Sequence, residues 1–196
     1  MTTYDVVHLV IHATDGTIQG RTKLQKVIYF VGVLTDRLKQ LGYRAHYYGP
    51  YSSDVAGAIQ ELRSLGFLEQ RTTGGGTTDN FGFEVTRYDY TLTDEGKQVA
   101  AEKAAAHAVE WDRIRKAVTA INAAPVQDYV RLAVAAKTHL LTQQAGSALE
   151  PDALKAKAQE HGWSAFTPEQ YDDAIRFLTA VGLDRETTAS GVRSPG

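Results

Sequence analysis

Gly42-Tyr43-Arg44-Ala45-His46-Tyr47-Tyr48-Gly49-Pro50-Tyr51-Ser52-Ser53 opens the stretch whose reading decides the fold. An amphipathic run ends it at Ser64-Leu65-Gly66-Phe67-Leu68, a glycine-rich turn follows, and Tyr88-Asp89-Tyr90-Thr91-Leu92-Thr93-Asp94-Glu95-Gly96 closes the region. Tyr43–Tyr48 reads as a short aromatic strand, and Gly49-Pro50 as a turn. Ser52 or Ser53 caps the next helix, and Asp54 suits its positive N-terminal end. Val55, Ala58, Ile59, Leu62 and Leu65 give that helix one apolar face, and Gly66 supplies a left-handed stop. Phe67–Thr73 and Phe81–Thr91 read as two strands around the tip Gly74–Asn80. The apolar phase of the second strand slips near Thr86-Arg87, which predicts a bulge there. Helix, strand, glycine tip, strand and new helix is the order of a winged helix. The fold expected is mainly α with a small antiparallel β wing (α+β).

Working outward, residues 3–14 form a first helix, and Thr17-Ile18-Gln19-Gly20 reads as a loop. A core helix is expected from Arg21 to Leu41, because Leu24, Val27, Ile28, Val31, Leu34, Leu38 and Leu41 recur at steps of three and four. After the wing, Thr93 caps a helix expected to run to Asn122 with Trp111, Ile114, Val118 and Ile121 on one face. About 29 residues at ~1.5 Å each would make it ~43 Å long. Pro125 then opens a helix over Val126–Gln143. Two further helices are expected at about 151–161 and 167–182, the second announced by Thr167-Pro168-Glu169-Gln170. Its Ala174-Ile175-x-x-Leu178-x-x-Val181-Gly182-Leu183 echoes Ala58-Ile59-x-x-Leu62-x-x-Leu65-Gly66-Phe67, either as a degenerate second helix-turn-helix or because any amphipathic helix ended by glycine reads this way. The expected division is a winged helix over 1–92, a helical hairpin over 93–143 serving as a homodimerisation arm, a small helical unit over 144–183 and a mobile tail over 184–196.

Composition narrows the chemistry. The 196 residues include no cysteine, which excludes disulfides, thiolate metal sites and a cysteine nucleophile. No apolar run approaches the roughly 18 residues that span a bilayer, and a cytoplasmic protein is expected. A net charge of −2 provides no global attraction to a polyanion, so a nucleic-acid role requires a local patch.

Four separated blocks resemble a little-characterised bacterial and archaeal winged-helix family. They are Gly20-Arg21-Thr22-Lys23-Leu24-Gln25-Lys26-x-x-Tyr29-Phe30, Tyr48-Gly49-Pro50-Tyr51-Ser52, Leu65-Gly66-Phe67-Leu68 and Leu92-Thr93-Asp94-Glu95-Gly96. The chain is similar to the YwgA-type proteins and, more distantly, to the Panacea domains associated with phages and antitoxins. The resemblance covers about residues 4–100. It implies a regulator or a toxin-neutralising binding module and supplies no catalytic residues.

Charge is unevenly spread over the elements that would meet DNA. The Ser52–Leu65 helix carries a local charge of −1 and the wing from Gly66 to Thr91 carries −2, whereas Arg21–Leu41 carries +4. Phosphate neutralisation supplies most non-specific affinity, so the basic start of the Arg21 helix is the expected contact. The nucleic-acid-binding set expected is Arg21, Lys23, Lys26, Arg44, Ser53, Gln60, Arg63 and Arg71. The connection before Ser52 is also longer than the turn of about three or four residues in a standard helix-turn-helix. The function expected is therefore a winged-helix DNA-binding transcriptional regulator that contacts double-stranded DNA. The alternative is a protein-interaction module of antitoxin or phage-defence type that grips a protein partner through Tyr43, Tyr47, Tyr48 and Tyr51.

Other constellations carry less. His8 and His12 stand one helical turn apart, a metal-compatible spacing, but no third ligand lies close in sequence and they read as a buried or half-buried structural pair. Gly74-Gly75-Gly76 lacks the Lys-Ser or Lys-Thr of a phosphate loop. No serine sits in a nucleophile-elbow pattern. No catalytic residue, metal or cofactor is expected.

Overall fold

The computed structural model describes residues 1–73, 87–125, 128–163 and 166–183. Its elements are α1 (Thr3–Ala13), β1 (Thr17–Gln19), α2 (Arg21–Leu34), α3 (Ser53–Ser64), β2 (Leu68–Thr73) and β3 (Arg87–Leu92), followed by α4 (Asp94–Ala106), α5 (Ala108–Ala123), α6 (Tyr129–Ala145), α7 (Pro151–Glu160) and α8 (Pro168–Ala180). The fold is mainly α with a small antiparallel β wing. The glycine tip, the start of the second wing strand with its expected bulge, and the tail over 184–196 lie outside the described residues.

Local chemistry sets most boundaries. Thr2 and Asp5 form a capping box on α1, with the Thr2 amide donating to Asp5 Oδ2 at 2.9 Å. Ser52 caps α3 by accepting from the Val55 amide at 3.0 Å, and its own hydroxyl donates to the Leu41 carbonyl at 2.5 Å. Thr93 caps α4 and ties it to the preceding loop, accepting from Gly96 N and donating to the Gly66 carbonyl. Thr167 and Gln170 make the capping box that their spacing predicts at α8.

Thr17–Gln19 is a strand, not the loop expected. It pairs antiparallel with β3, Ile18 opposite Tyr90, and the sheet order is β1-β3-β2. On the other edge Leu68 faces Leu92 and Thr73 faces Arg87. A three-residue strand has too few side chains to show a period; its identity comes from β3, about 70 residues away.

The core helix ends at Leu34 and does not reach Leu41. The Thr35 hydroxyl turns back to the Val31 carbonyl at 2.7 Å, Asp36 takes a left-handed conformation (φ 56°), and the Arg37 amide donates to Gly32 O at 2.7 Å. The chain then folds over α2. A Cβ on Gly32 would lie 2.7 Å from Leu41 Cδ1, so the absence of a side chain there seats the buried Leu41. Leu38 and Leu41 therefore reach the core from a turn. Tyr43–Tyr48 is not a continuous strand either. Arg44 and Tyr51 exchange two backbone hydrogen bonds, and the Gly49 amide closes the turn on His46 O at 2.8 Å.

The expected long helix after the wing is two helices, broken at His107 (φ −125°, ψ 48°). The break lets both α4 and α5 pack on α1, and α5 also on α2. Asp128 caps α6, which starts at Tyr129 and ends at left-handed Gly146. α6 lies between α2 and α8. One apolar core runs from Val6 on α1 to Val181 after α8, and a smaller cluster gathers Leu141, Leu154, Ala158 and Trp163. Among the described residues no helix is long and apolar enough to cross a membrane.

Candidate functional site

The expected cationic start of α2 is dismantled by its surroundings. Arg21 remains exposed, its guanidinium 4.5 Å above the Tyr88 ring. Lys23 is half-buried beside a cavity of about 280 Å³ that it shares with Asp15 and Asn122. Lys26 is 2% exposed, and its ammonium donates to the Pro50 carbonyl at 2.5 Å. Burial, assisted by nearby Lys137, pushes its pKa down to about 7. Lys26 is thus no surface phosphate contact, which corrects the sequence expectation. Gln25 explains why: its side-chain amide donates to Ser52 O at 3.1 Å and accepts from Ser52 N at 3.2 Å, stitching the Gly49–Ser52 segment over the helix.

On α3, Ser53, Gly57, Gln60 and Ser64 are exposed at steps of four, three and four, so they share one small, uncharged face. Asp54 and Glu61 flank it, and Arg63 is half-buried with Nη1 on Gln60 Oε1 at 2.7 Å. The sheet adds little free positive charge. Arg71 stands 3.4 Å from Glu69 and Arg87 2.9 Å from Asp89. Arg44 is exposed beyond the loop. Of the nucleic-acid set, then, Arg21, Arg44, Ser53, Gln60 and Arg71 are exposed, whereas Lys26 at its centre is enclosed.

The tyrosine set divides in two. Tyr43 is half-buried, its hydroxyl donates to the Gln25 carbonyl at 2.6 Å, and its ring meets Tyr29 edge-on at 5.2 Å. Burial raises its pKa well above the phenolic norm. Tyr51 is half-buried against the His46 ring at 5.0 Å. Tyr47 and Tyr48 instead stand 67% and 64% exposed, as a T-shaped pair 4.9 Å apart. Their loop is braced from a distant part of the chain, because Trp163 Nε1 donates to His46 O at 2.7 Å. Gly49 (φ 95°) lies so close to α6 that a Cβ would come within 3.0 Å of Lys137 Cγ. Tyr43 and Tyr51 are fasteners; Tyr47 and Tyr48 are what the fastened loop displays.

Sequence reasoning assigned no ligand role to residues 144–183, yet these help line a cavity of about 1090 Å³ between α6, α8 and the 146–149 connection. His139, 4% exposed, stands in its wall with Nδ1 2.8 Å from the Tyr29 hydroxyl, and burial pushes its pKa down to about 4. The signal in the sequence is Thr138-His139, two polar residues among the otherwise apolar buried positions Leu132, Val134, Ala135, Ala136 and Leu141 of α6.

His8 and His12 have separate structural roles. Buried His8 donates from Nε2 to the Gly96 carbonyl at 2.8 Å, and His12 lies 5.2 Å from the Trp111 ring. Among the described residues no three His, Asp or Glu side chains are grouped to hold a metal.

No family model matches the chain. It is 37% identical over 87 residues to the uncharacterized protein YwgA of Bacillus subtilis (strain 168). The match covers 44% of this chain and 47% of YwgA, so the chain spans about half the length of that relative. Over those 87 residues the chain is similar to a protein that is itself uncharacterized.

Proposed function

We propose that the protein is a winged-helix module that binds a protein partner through the loop displaying Tyr47 and Tyr48. The observation that carries this reading is that exposed aromatic pair on a loop locked by Gln25–Ser52, Trp163–His46 and the Gly49–Lys137 approach. Two large rings held in water forgo burial on folding and recover it when a partner covers them. Tyrosine on a fixed backbone loses little conformational entropy on docking, which is why it recurs among binding hot spots. Tyr129 and Val130, also exposed, lie one turn before Ala133, whose carbonyl is 3.6 Å from the position of a Gly49 Cβ. They add exposed apolar surface on the first turn of α6.

DNA binding remains a second reading because the α3 face of Ser53, Gly57, Gln60 and Ser64 is smooth and polar, and Gln60 suits an adenine edge. Against it stand the burial of Lys26 and the carboxylates beside Arg71 and Arg87. Fluorescence anisotropy with a random-sequence duplex at low salt separates the two. The protein-partner reading expects no salt-dependent binding. It also expects a photo-crosslinking amino acid at Tyr47, expressed in the native host, to give one defined protein adduct. Tyr48→Ala should weaken the isolated complex by about 2 kcal/mol, or roughly thirtyfold. Duplex binding that is abolished by Gln60→Ala and Arg44→Gln, with no adduct, would establish the DNA reading instead.

A further inference from the structure

The cavity between α6 and α8 has the composition of a small-molecule site, and its charge pattern restricts what enters. His139 is almost wholly enclosed, and one ring nitrogen is engaged by the Tyr29 hydroxyl. Its other ring nitrogen has no partner among the described residues. If Tyr29 donates, Nε2 carries the proton and offers a donor; in the other tautomer it offers an acceptor. Beside it on the same wall Thr138 Oγ1 is buried without a hydrogen-bond partner, so the wall presents a polar function that the protein leaves unanswered. Thr142, Gln143 and Ser147 add neutral polar groups, and Leu149, Ile175 and Leu178 add aliphatic surface. The charged residues of the lining, Asp172 and Arg176, are exposed, and Arg176 is paired with the buried Asp173, which also holds Arg131 at 3.0 Å.

We infer that this cavity binds an uncharged small molecule, part apolar and part hydrogen-bonding, that docks its polar edge on His139. An anion placed there would exchange its hydration for a neutral imidazole and hydroxyls, a poor return for a full charge. An uncharged amide or hydroxyl has the complementary chemistry, and the volume of about 1090 Å³ lies just above the roughly 300–1,000 Å³ typical of ligand pockets. The inference is independent of the protein-partner reading, although Tyr29 connects the two places: it bonds His139 on one side and meets the Tyr43 ring on the other.

The test uses the full chain and matched probe pairs that differ in one charge: thymidine with thymidine monophosphate, and N-acetyl-leucinamide with N-acetyl-leucine. Saturation-transfer NMR at millimolar probe is expected to detect at least one neutral member, bound tenfold or more tightly than its anionic partner. Ile175→Trp, at a half-exposed wall position, should abolish that signal with the circular dichroism spectrum unchanged. His139→Gln should weaken it severalfold and leave the preference for neutral probes in place. The inference is overturned if anionic members bind as well or better, if Ile175→Trp binds like the wild type, or if no probe of either pair saturates. None of these outcomes depends on the Tyr47–Tyr48 surface.

Discussion

A lysine ammonium withdrawn from water onto a single carbonyl is held at a cost that depends on pH. Lys26 is enclosed with its pKa at about 7, against an ordinary value near 10.4 in the unfolded chain. Between those values the unfolded state binds the extra proton, so stability rises with pH from about 7 to about 10 and levels off below 7. The range corresponds to something on the order of 4 kcal/mol. Urea titrations at half-unit pH steps should show that rise, and Lys26→Met should flatten it. At pH 7 the methionine variant is expected to be at least as stable as the wild type, because removing the buried charge offsets the hydrogen bond lost at Pro50 O. A Lys26→Met profile parallel to that of the wild type would contradict this account. The histidines act at lower pH with the same sign. His8 and His139 are both held near pKa 4 by burial, while the unfolded side chains titrate near 6.5. Their stabilisation is complete above about 6.5 and lost as pH falls toward 4, on the order of 3 kcal/mol for each. His139→Phe should remove about half of that acid sensitivity when midpoints at pH 4.5 and 7 are compared.

At the scale of elements, the junction between the wing and α4 is held by the absence of a side chain. A Cβ on Gly96 would lie 2.1 Å from the Phe67 carbonyl oxygen, which itself accepts from the Thr93 amide, and the Gly96 carbonyl receives buried His8. Since backbone, not a flexible tip, stands in the way, Gly96→Ala must displace β2 from α4. A loss of about 3 kcal/mol is expected in urea denaturation. Gly57→Ala is the opposite case. A Cβ there meets nothing within 4 Å, so an exposed helical position should gain about 0.5–1 kcal/mol. Gly96→Ala with wild-type stability would show that the junction is looser than this packing requires. The same elements show what sequence makes legible. Ser52, Thr93, Thr167 and Gly66 announce helix ends because a cap is a short-range hydrogen bond or a local backbone conformation. The break at His107 is not announced, because the alanine-rich flanks favour helix on both sides and the break arises where α4 and α5 both seat on α1. Lys26 was misread for a related reason. Helical periodicity places it on α2 correctly, but its burial depends on a loop 24 residues later that folds over it.

Across the whole molecule, the question is whether the helices after the wing fold with it. The large core includes Leu132, Val134, Ala135 and Ala136 of α6 together with Val6 on α1 and Phe177 on α8, while Leu141 on the same α6 belongs to the smaller cluster around Trp163. Phe166 packs against both clusters. Trp163 also reaches back to His46, so the loop displaying Tyr47 and Tyr48 depends on residues after α7. None of this is visible in sequence, where residues 144–183 read as a separate small unit. Contacts of this kind are expected to couple the two clusters into one cooperative transition. The chain's two tryptophans report on it, Trp111 from α5 and Trp163 from the smaller cluster. In Trp111→Phe and Trp163→Phe, each retaining one reporter, fluorescence and far-ultraviolet circular dichroism should give coincident urea midpoints for each variant. An early Trp163 transition that leaves most helical signal in place would mean that the second cluster melts alone. In that case the Trp163–His46 bond would be lost first, and the tyrosine loop would be released while the wing remained folded.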